Sequence, residues 1–189
     1  MRLRLRLRVG LSDGTTLMEM MVVLAILAVV LSVVVPGFER LFASSRVYSE
    51  ARMLLNAVYL TRAEAIKRNL PVTMCPMDDA VANSHGCGDS YAVGWMIFLN
   101  PSRARHPEQK ADILAVHDST GSAVTVLNRA GTRSANERIT YFGDGTAHRN
   151  LTLMVCSTME ASVDSWSVVL NIVGRPRFAR AWGKCPDGA

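Results

Sequence analysis

TTLMEMMVVLAILAVVLSVVVP, residues 15–36, carries a single charged side chain, Glu19, in an otherwise nearly unbroken apolar run. As a helix at about 1.5 Å per residue, the 19 residues from Leu17 to Val35 reach roughly 28 Å, close to the hydrocarbon thickness of a bilayer. Residues 1–14, MRLRLRLRVGLSDG, precede it with Arg2, Arg4, Arg6 and Arg8 and end at Gly14. An ordinary secretory signal is cut after its apolar run, at small residues. Here the obvious recognition point lies before the run, so a cut at Gly14 leaves the run attached as the first helix. Arginines favour the cytoplasmic side, which places the rest of the chain across the membrane.

Glu19 is the informative residue of this stretch. A carboxylate near the centre of a membrane helix costs on the order of 2.5 to 3.5 kcal/mol and is rarely kept without a partner. Placed at the helix end, in the interface, it costs little. Gly14, then Thr15-Thr16-Leu17-Met18-Glu19, then an apolar stretch broken at Pro36, resembles the class III signal of type IV prepilins and pseudopilins. The resemblance implies that a prepilin peptidase cuts after Gly14 and methylates the new amine on Thr15. It also implies that Glu19, fifth after the cut, pairs with a neighbouring subunit's N-terminus during assembly. The family usually has phenylalanine or methionine where this chain has Thr15.

Beyond Pro36-Gly37, residues 38–69 read as a helix, with Leu41, Phe42, Val47, Tyr48, Ala51, Leu54, Leu55, Val58, Tyr59, Ala63 and Ile66 near helical spacing. Arg40, Arg46, Arg52, Arg62, Lys67 and Arg68 most simply form a solvated face, with Glu39, Glu50 and Glu64 as helical pair partners. Pro36 should loosen or kink the helix without ending it, since the periodicity resumes beyond it. From Pro71 the pattern changes to short runs of β type: 72–75, 92–99, 112–117, 123–127, 138–142, 151–156 and 165–173. A long helix followed only by strands predicts an α+β domain, with the helix packed on antiparallel sheet. The expected organisation is a leader at 1–14, a membrane and assembly helix at 15–36, an amphipathic second half at 37–70, and a β-rich head with a basic tail at 71–189.

A chain of 189 residues, 49% apolar, has room for one globular domain plus an appendage. The formal charge is +5, but losing residues 1–14 removes four arginines and Asp13 and leaves +2. Global charge therefore says little about partners, and local clusters matter more. Cys75, Cys87, Cys156 and Cys185 form no C-x-x-C pair and have no histidine at metal spacing. An even count behind a membrane-targeting N-terminus suggests disulfides. Three pairings exist in principle, and sequence proximity favours Cys75 with Cys87 and Cys156 with Cys185. His85, His106, His117 and His148 stand in separate segments, and there is no G-x-S-x-G elbow, phosphate loop or dinucleotide fingerprint. Neither an enzyme, a cofactor nor a metal is expected. Asp78, Asp79 and Asp89 read as a solvated loop in preference to a calcium site, because their spacing is not that of an EF-hand.

The stretches Thr61–Asn69, Val72–Cys75, Gly94–Phe98 and Gly174-Arg175 narrow the resemblance to the GspH/FimT family of minor pilins and pseudopilins. Residues 174–185, GRPRFARAWGKC, place Arg175, Arg177, Arg180 and Lys184 within ten residues, with Phe178 and Trp182 between them. In extended conformation Arg175 and Arg177 project to one side, and such spacing suits phosphate contacts along a nucleic acid with aromatic stacking. The plainer reading is a solubilised edge strand, or a contact with acidic faces of neighbouring pilins. A G-R-x-R motif in the tail is associated with the DNA-binding FimT-like minor pilins of naturally competent bacteria, and Gly174-Arg175-Pro176-Arg177 is similar to it.

The resemblance implies a non-catalytic minor pilin with other pilins, the prepilin peptidase, the inner membrane and DNA as partners. It implies one membrane pass with a periplasmic head, and a place on the pilus after assembly. A minor pseudopilin of type II secretion, recognising protein and not DNA, is the alternative.

Overall fold

The computed structural model describes residues 16–77, 86–119, 123–160, 162–183 and 185–186, with positions 33 and 36 described by their backbone alone. Gly14, Thr15 and Lys184 lie outside the described residues, as do Asp78, Asp79 and His85. The chain divides into two compact units, Met1–Glu39 and Arg40–Ala189.

Helix α1, Leu17–Arg68, begins in the first unit. Its start is written locally: the Thr16 hydroxyl accepts the Glu19 amide N–H at 3.3 Å, which satisfies one of the donors a helix N-terminus leaves open. Glu19 lies in the first turn, where a carboxylate favours the helix dipole. The Ser32 hydroxyl donates to the Val29 carbonyl at 2.7 Å, so the polar atom inside the apolar run is satisfied by its own backbone. No described side chain from Leu17 to Val35 is buried. The stretch is long and apolar enough to cross a membrane. The helix continues through position 36, as its resumed periodicity predicts.

In the second unit, α1 presents a buried stripe of Val47, Ala51, Leu54, Leu55, Val58, Thr61 and Ala65, the i, i+3, i+4 spacing of one helix face. Thr61 keeps the stripe dry by donating its hydroxyl to the Ala57 carbonyl at 2.7 Å. Leu41 and Phe42 precede the first buried position, Val47, while Tyr59, Ala63 and Ile66 fall off the register of the stripe; all five are exposed. The expected apolar face was therefore too wide. The helix ends where Asn69 turns left-handed (φ 52°), with its amide on the Ile66 carbonyl and the Leu70 amide on the Ala65 carbonyl, both at 3.3 Å. That pair of bonds is a Schellman cap, and Pro71 follows it.

Among the described residues eight strands follow, all paired antiparallel. β1 (Val72–Pro76), β2 (Gly94–Leu99), β3 (Ile113–Asp118) and β5 (Ile139–Tyr141) form one sheet in the order β3-β2-β1-β5. β4 (Val124–Leu127), β6 (Leu151–Ser157), β7 (Trp166–Leu170) and β8 (Arg177–Arg180) form the other in the order β4-β6-β7-β8. Strand alternation sends Val72, Met74, Ile97 and Ile139 from the first sheet, and Val126, Leu153, Val155 and Val168 from the second, into one core with the helix stripe.

The alternate positions build two smaller clusters. Cys75, Met96 and Phe98 pack together in the first sheet with Cys87 against them. Leu127, Met154 and Cys156 do the same in the second, with Cys185 against them. Cys75 is bonded to Cys87 and Cys156 to Cys185, the pairing that proximity favours. Each bond pins a loop or tail over apolar residues on the outer side of its sheet. The strand expected at 165–173 stops at Leu170, because residues 171–174 turn into β8.

Two expectations about the helix face also change. Arg52 lies over the rings of Tyr48 and Phe178, at 5.3 and 4.9 Å from their centroids, and Arg62 donates to the Gly145 carbonyl at 3.1 Å. These two arginines brace the head, whereas Glu64 pairs with Arg68 at 2.7 Å and Lys67 at 3.7 Å as a helical surface pair should.

Leu54→Ala in the full chain, held in non-ionic detergent, is expected to cost about 2 to 5 kcal/mol in denaturant unfolding, and Leu41→Ala less than about 0.5 kcal/mol. Cys156→Ala with Cys185→Ala removes a cross-link across 29 residues, worth about 3 to 4 kcal/mol by chain entropy. Limited proteolysis should then cut the tail near Trp182 first; a tail as protected as the parent's would show that the bond does not restrain it.

Candidate nucleic-acid interface

The tail is half of a hairpin. β8 runs back along β7 with Val169 opposite Arg177 and Trp166 opposite Arg180. Between them the Gly174 amide donates to the Asn171 carbonyl at 2.9 Å, and the Arg175 amide donates to the Asn171 side-chain oxygen at 3.0 Å. Gly174 has φ +83°, and a Cβ there would stand 1.9 Å from the Gly145 carbonyl oxygen. No other residue fits that approach without moving backbone. The glycine of the G-R-x-R stretch therefore seats the turn against the Gly145–Thr146 backbone and presents the arginine that follows.

Strand geometry divides the basic cluster. Phe178 faces α1, stacked on Trp166 at 4.5 Å and edge-on to Tyr48 at 5.9 Å. Arg180, two residues on, is bound by Asp164, with nitrogen–oxygen distances of 2.8 and 3.0 Å. Arg177, on the alternate side, lies 5.9 Å from the centroid of the Trp182 ring. Arg175 precedes the strand, in the Asn171 turn, so strand alternation does not set it beside Arg177 as an extended tail would. Both arginines are exposed, and neither has an acidic partner among the described residues. Phe178 is occupied by internal stacking, which leaves the partly exposed Trp182 as the aromatic surface of the cluster.

Arg129 joins this surface from the loop after β4, its guanidinium 5.1 Å from the Trp182 centroid. Nothing near it in the chain marks it. It arrives through the β4–β6 and β6–β7 pairings, a long-range consequence of sheet order. Trp182 is held from behind, its carbonyl accepting the Ser167 hydroxyl at 3.0 Å, and Gly183 closes on Met154 and the Arg129 carbonyl. The Cys156–Cys185 bond follows directly. The result is two arginines, Arg129 and Arg177, over an indole on a braced hairpin whose turn carries Arg175, an arrangement suited to phosphate oxygens with stacking. No group of three histidine, cysteine, aspartate or glutamate side chains that would hold a metal occurs among the described residues.

A family model described as type II transport protein GspH matches residues 50–174. The chain matches no curated protein. Among solved structures it is similar to the type IV minor pilin FimU of Pseudomonas aeruginosa strain PAO1 in two crystal forms. The first has a TM-score of 0.56 at 17% identity, covering 72% of this chain and 90% of that one. The second has 0.51 at 18%, covering 71% and 93%. The minor pseudopilin EpsH from the type 2 secretion system of Vibrio cholerae gives 0.48 at 12%, covering 69% and 93%. With a helix packed on two antiparallel sheets and a family match across about two thirds of its length, the chain belongs to the GspH family of minor pilins and pseudopilins.

Proposed function

We propose that the protein is a minor pilin of a type IV pilus whose head binds DNA, without sequence preference, through Arg175 and Arg177. The observation that carries this reading is the unequal fate of the tail's cations: Arg180 is neutralised by Asp164, while Arg175 and Arg177 stand exposed with no carboxylate partner among the described residues. A turn already ordered by Asn171 and Gly174 loses little freedom on binding. Guanidinium–phosphate contacts of this kind position a duplex without reading its bases.

In the same reading the chain is cut after Gly14 and methylated at Thr15. Its apolar helix anchors it in the inner membrane with the head in the periplasm, until it joins other pilins at the cell surface. Glu19, besides favouring the start of α1, offers its carboxylate to a neighbouring subunit's amine, and Pro36 marks the end of the part of α1 that serves assembly. Lys184 adds a further cation to the tail. The role is structural and non-catalytic.

The description of the matching family model favours a second reading, a minor pseudopilin of type II secretion that contacts protein through the same surface.

Duplex binding by the full chain in non-ionic detergent separates the two, measured by anisotropy across a salt series. The leader arginines Arg2, Arg4, Arg6 and Arg8 should be replaced by glutamine so that they add no background. Arg175→Ala with Arg177→Ala is expected to weaken binding and to flatten the dependence of log K on log salt by about 1 to 2. Absent binding, or binding indifferent to these arginines, would favour the secretion reading.

A further inference from the structure

A cleft of about 270 Å³ elsewhere on the second unit gathers Arg105, Arg138 and Arg149 with Asp89 and Glu137. The arginines come from three segments: the loop after β2, the approach to β5 and the approach to β6. The frame that holds them is well bonded. The Asn100 side-chain amide donates to the Thr73 hydroxyl at 2.9 Å and the Ala104 carbonyl at 3.0 Å, and Arg138 donates to that same carbonyl at 3.0 Å. Beside the Cys75–Cys87 bond, the Cys87 amide donates to His106 Nδ1 at 3.0 Å.

The charge in the cleft is largely uncompensated. Glu137 is occupied by Arg133 and by the Asn136 amide, which leaves Asp89 as the other carboxylate of a lining that holds three arginines. Arg105 and Arg149 are exposed and have no acidic partner among the described residues. Desolvation, together with the charges of Arg149 and Arg138, holds the His148 pKa below the usual histidine value, so this neighbour is neutral at neutral pH. The lining offers no large apolar side chain to anchor a protein partner.

This cleft adjoins the hairpin turn. The Ala147 amide donates to the Ile172 carbonyl at 3.0 Å, and the Asn150 side chain accepts the Ile172 amide at 2.8 Å. Asn171 in turn accepts the Arg175 amide. Arg149 and Arg175 therefore sit on two segments that are bonded to each other.

We infer that the cleft is a second phosphate-binding subsite, which extends a nucleic-acid backbone track from Arg177 and Arg175 past Arg149 to Arg138 and Arg105. The inference rests on the DNA-binding reading of the hairpin and adds contacts which that reading does not include. Arg105 and Arg149 bind as point charges at the rim, and Arg138, oriented by the Ala104 carbonyl, lies deeper between them and the sheet. A duplex lying along the track would meet both subsites.

The test uses the full chain in non-ionic detergent with the leader arginines replaced by glutamine, and compares Arg105→Ala with Arg149→Ala against Arg175→Ala with Arg177→Ala. The cleft pair is expected to weaken duplex binding several-fold and to flatten the salt dependence by about 1 to 2, while Arg105→Lys with Arg149→Lys keeps most of both. Neither side chain makes a hydrogen bond among the described residues, so the unfolding midpoint should not move. If the hairpin pair weakens binding and the cleft pair leaves it unchanged, the cleft inference is overturned and the hairpin reading stands. If only the cleft pair weakens binding, the cleft is a phosphate site and the hairpin reading fails. A parent chain that binds no duplex overturns both.

Discussion

The contact on which the head depends is the narrow stripe of α1 from Val47 to Ala65. Two four-stranded sheets bury their inner faces against it, and among the described residues no hydrogen-bonded strand pair joins one sheet to the other. Ala51, Ala57 and Ala65 add little bulk to the stripe, while Leu54, Leu55 and Val58 supply most of its buried area. Fully burying a side chain of that size is worth about 1.5 to 3 kcal/mol. Alanine and a self-satisfied threonine complete the stripe without adding bulk.

One constraint follows for the far side of each sheet. A sheet whose inner face meets the helix still has an outer face, and Met96 with Phe98, or Leu127 with Met154, would leave apolar area in water there. Both sheets solve this with a disulfide. Cys75 draws the Cys87 segment over the first outer cluster, and Cys156 draws the end of the chain over the second. The second bond has a consequence for the surface as well. It fixes the residues after β8, and with Gly183 against Met154 it holds Trp182 where Arg177 and Arg129 meet its ring.

The element types were legible from residue pattern. Alternation within β1, β6 and β7, the helical spacing after Val47 and the Asn69–Pro71 break each have a local cause, and the structure follows them closely. Strand ends were less legible where side chains decide them. Asn171 caps a turn inside an apolar run that otherwise reads as strand to Val173, and only the approach of Gly174 to Gly145, 29 positions away, explains why the chain must turn there. The basic tail was visible as composition, but its division was not. Whether an arginine is paired depends on what the next strand brings: Asp164 reaches Arg180 through β7–β8 pairing, and Arg129 reaches Trp182 across β6 and β7. The cleft around Arg138 had no signal at all in the chain, because its arginines are 33 and 11 positions apart and meet only after the Asn100 loop has folded onto β1.

The same comparison explains why net charge is a poor guide to this surface. Most of the formal +5 sits in residues 1–14, and several cations of the head are cancelled where they stand: Arg68 by Glu64, Arg133 by Glu137, Arg180 by Asp164. Exposed pairs of this kind contribute little to stability, typically below about 1 kcal/mol, but they do remove charge from the field a distant polyanion would feel. Arg105, Arg129, Arg149, Arg175 and Arg177 keep theirs. They come from separate segments of the sequence, so the potential near any one of them is set by which others fold close to it and not by the average over the head. Screening over about 8 to 10 Å at physiological salt makes that local arrangement, more than the total, the quantity a passing anion responds to.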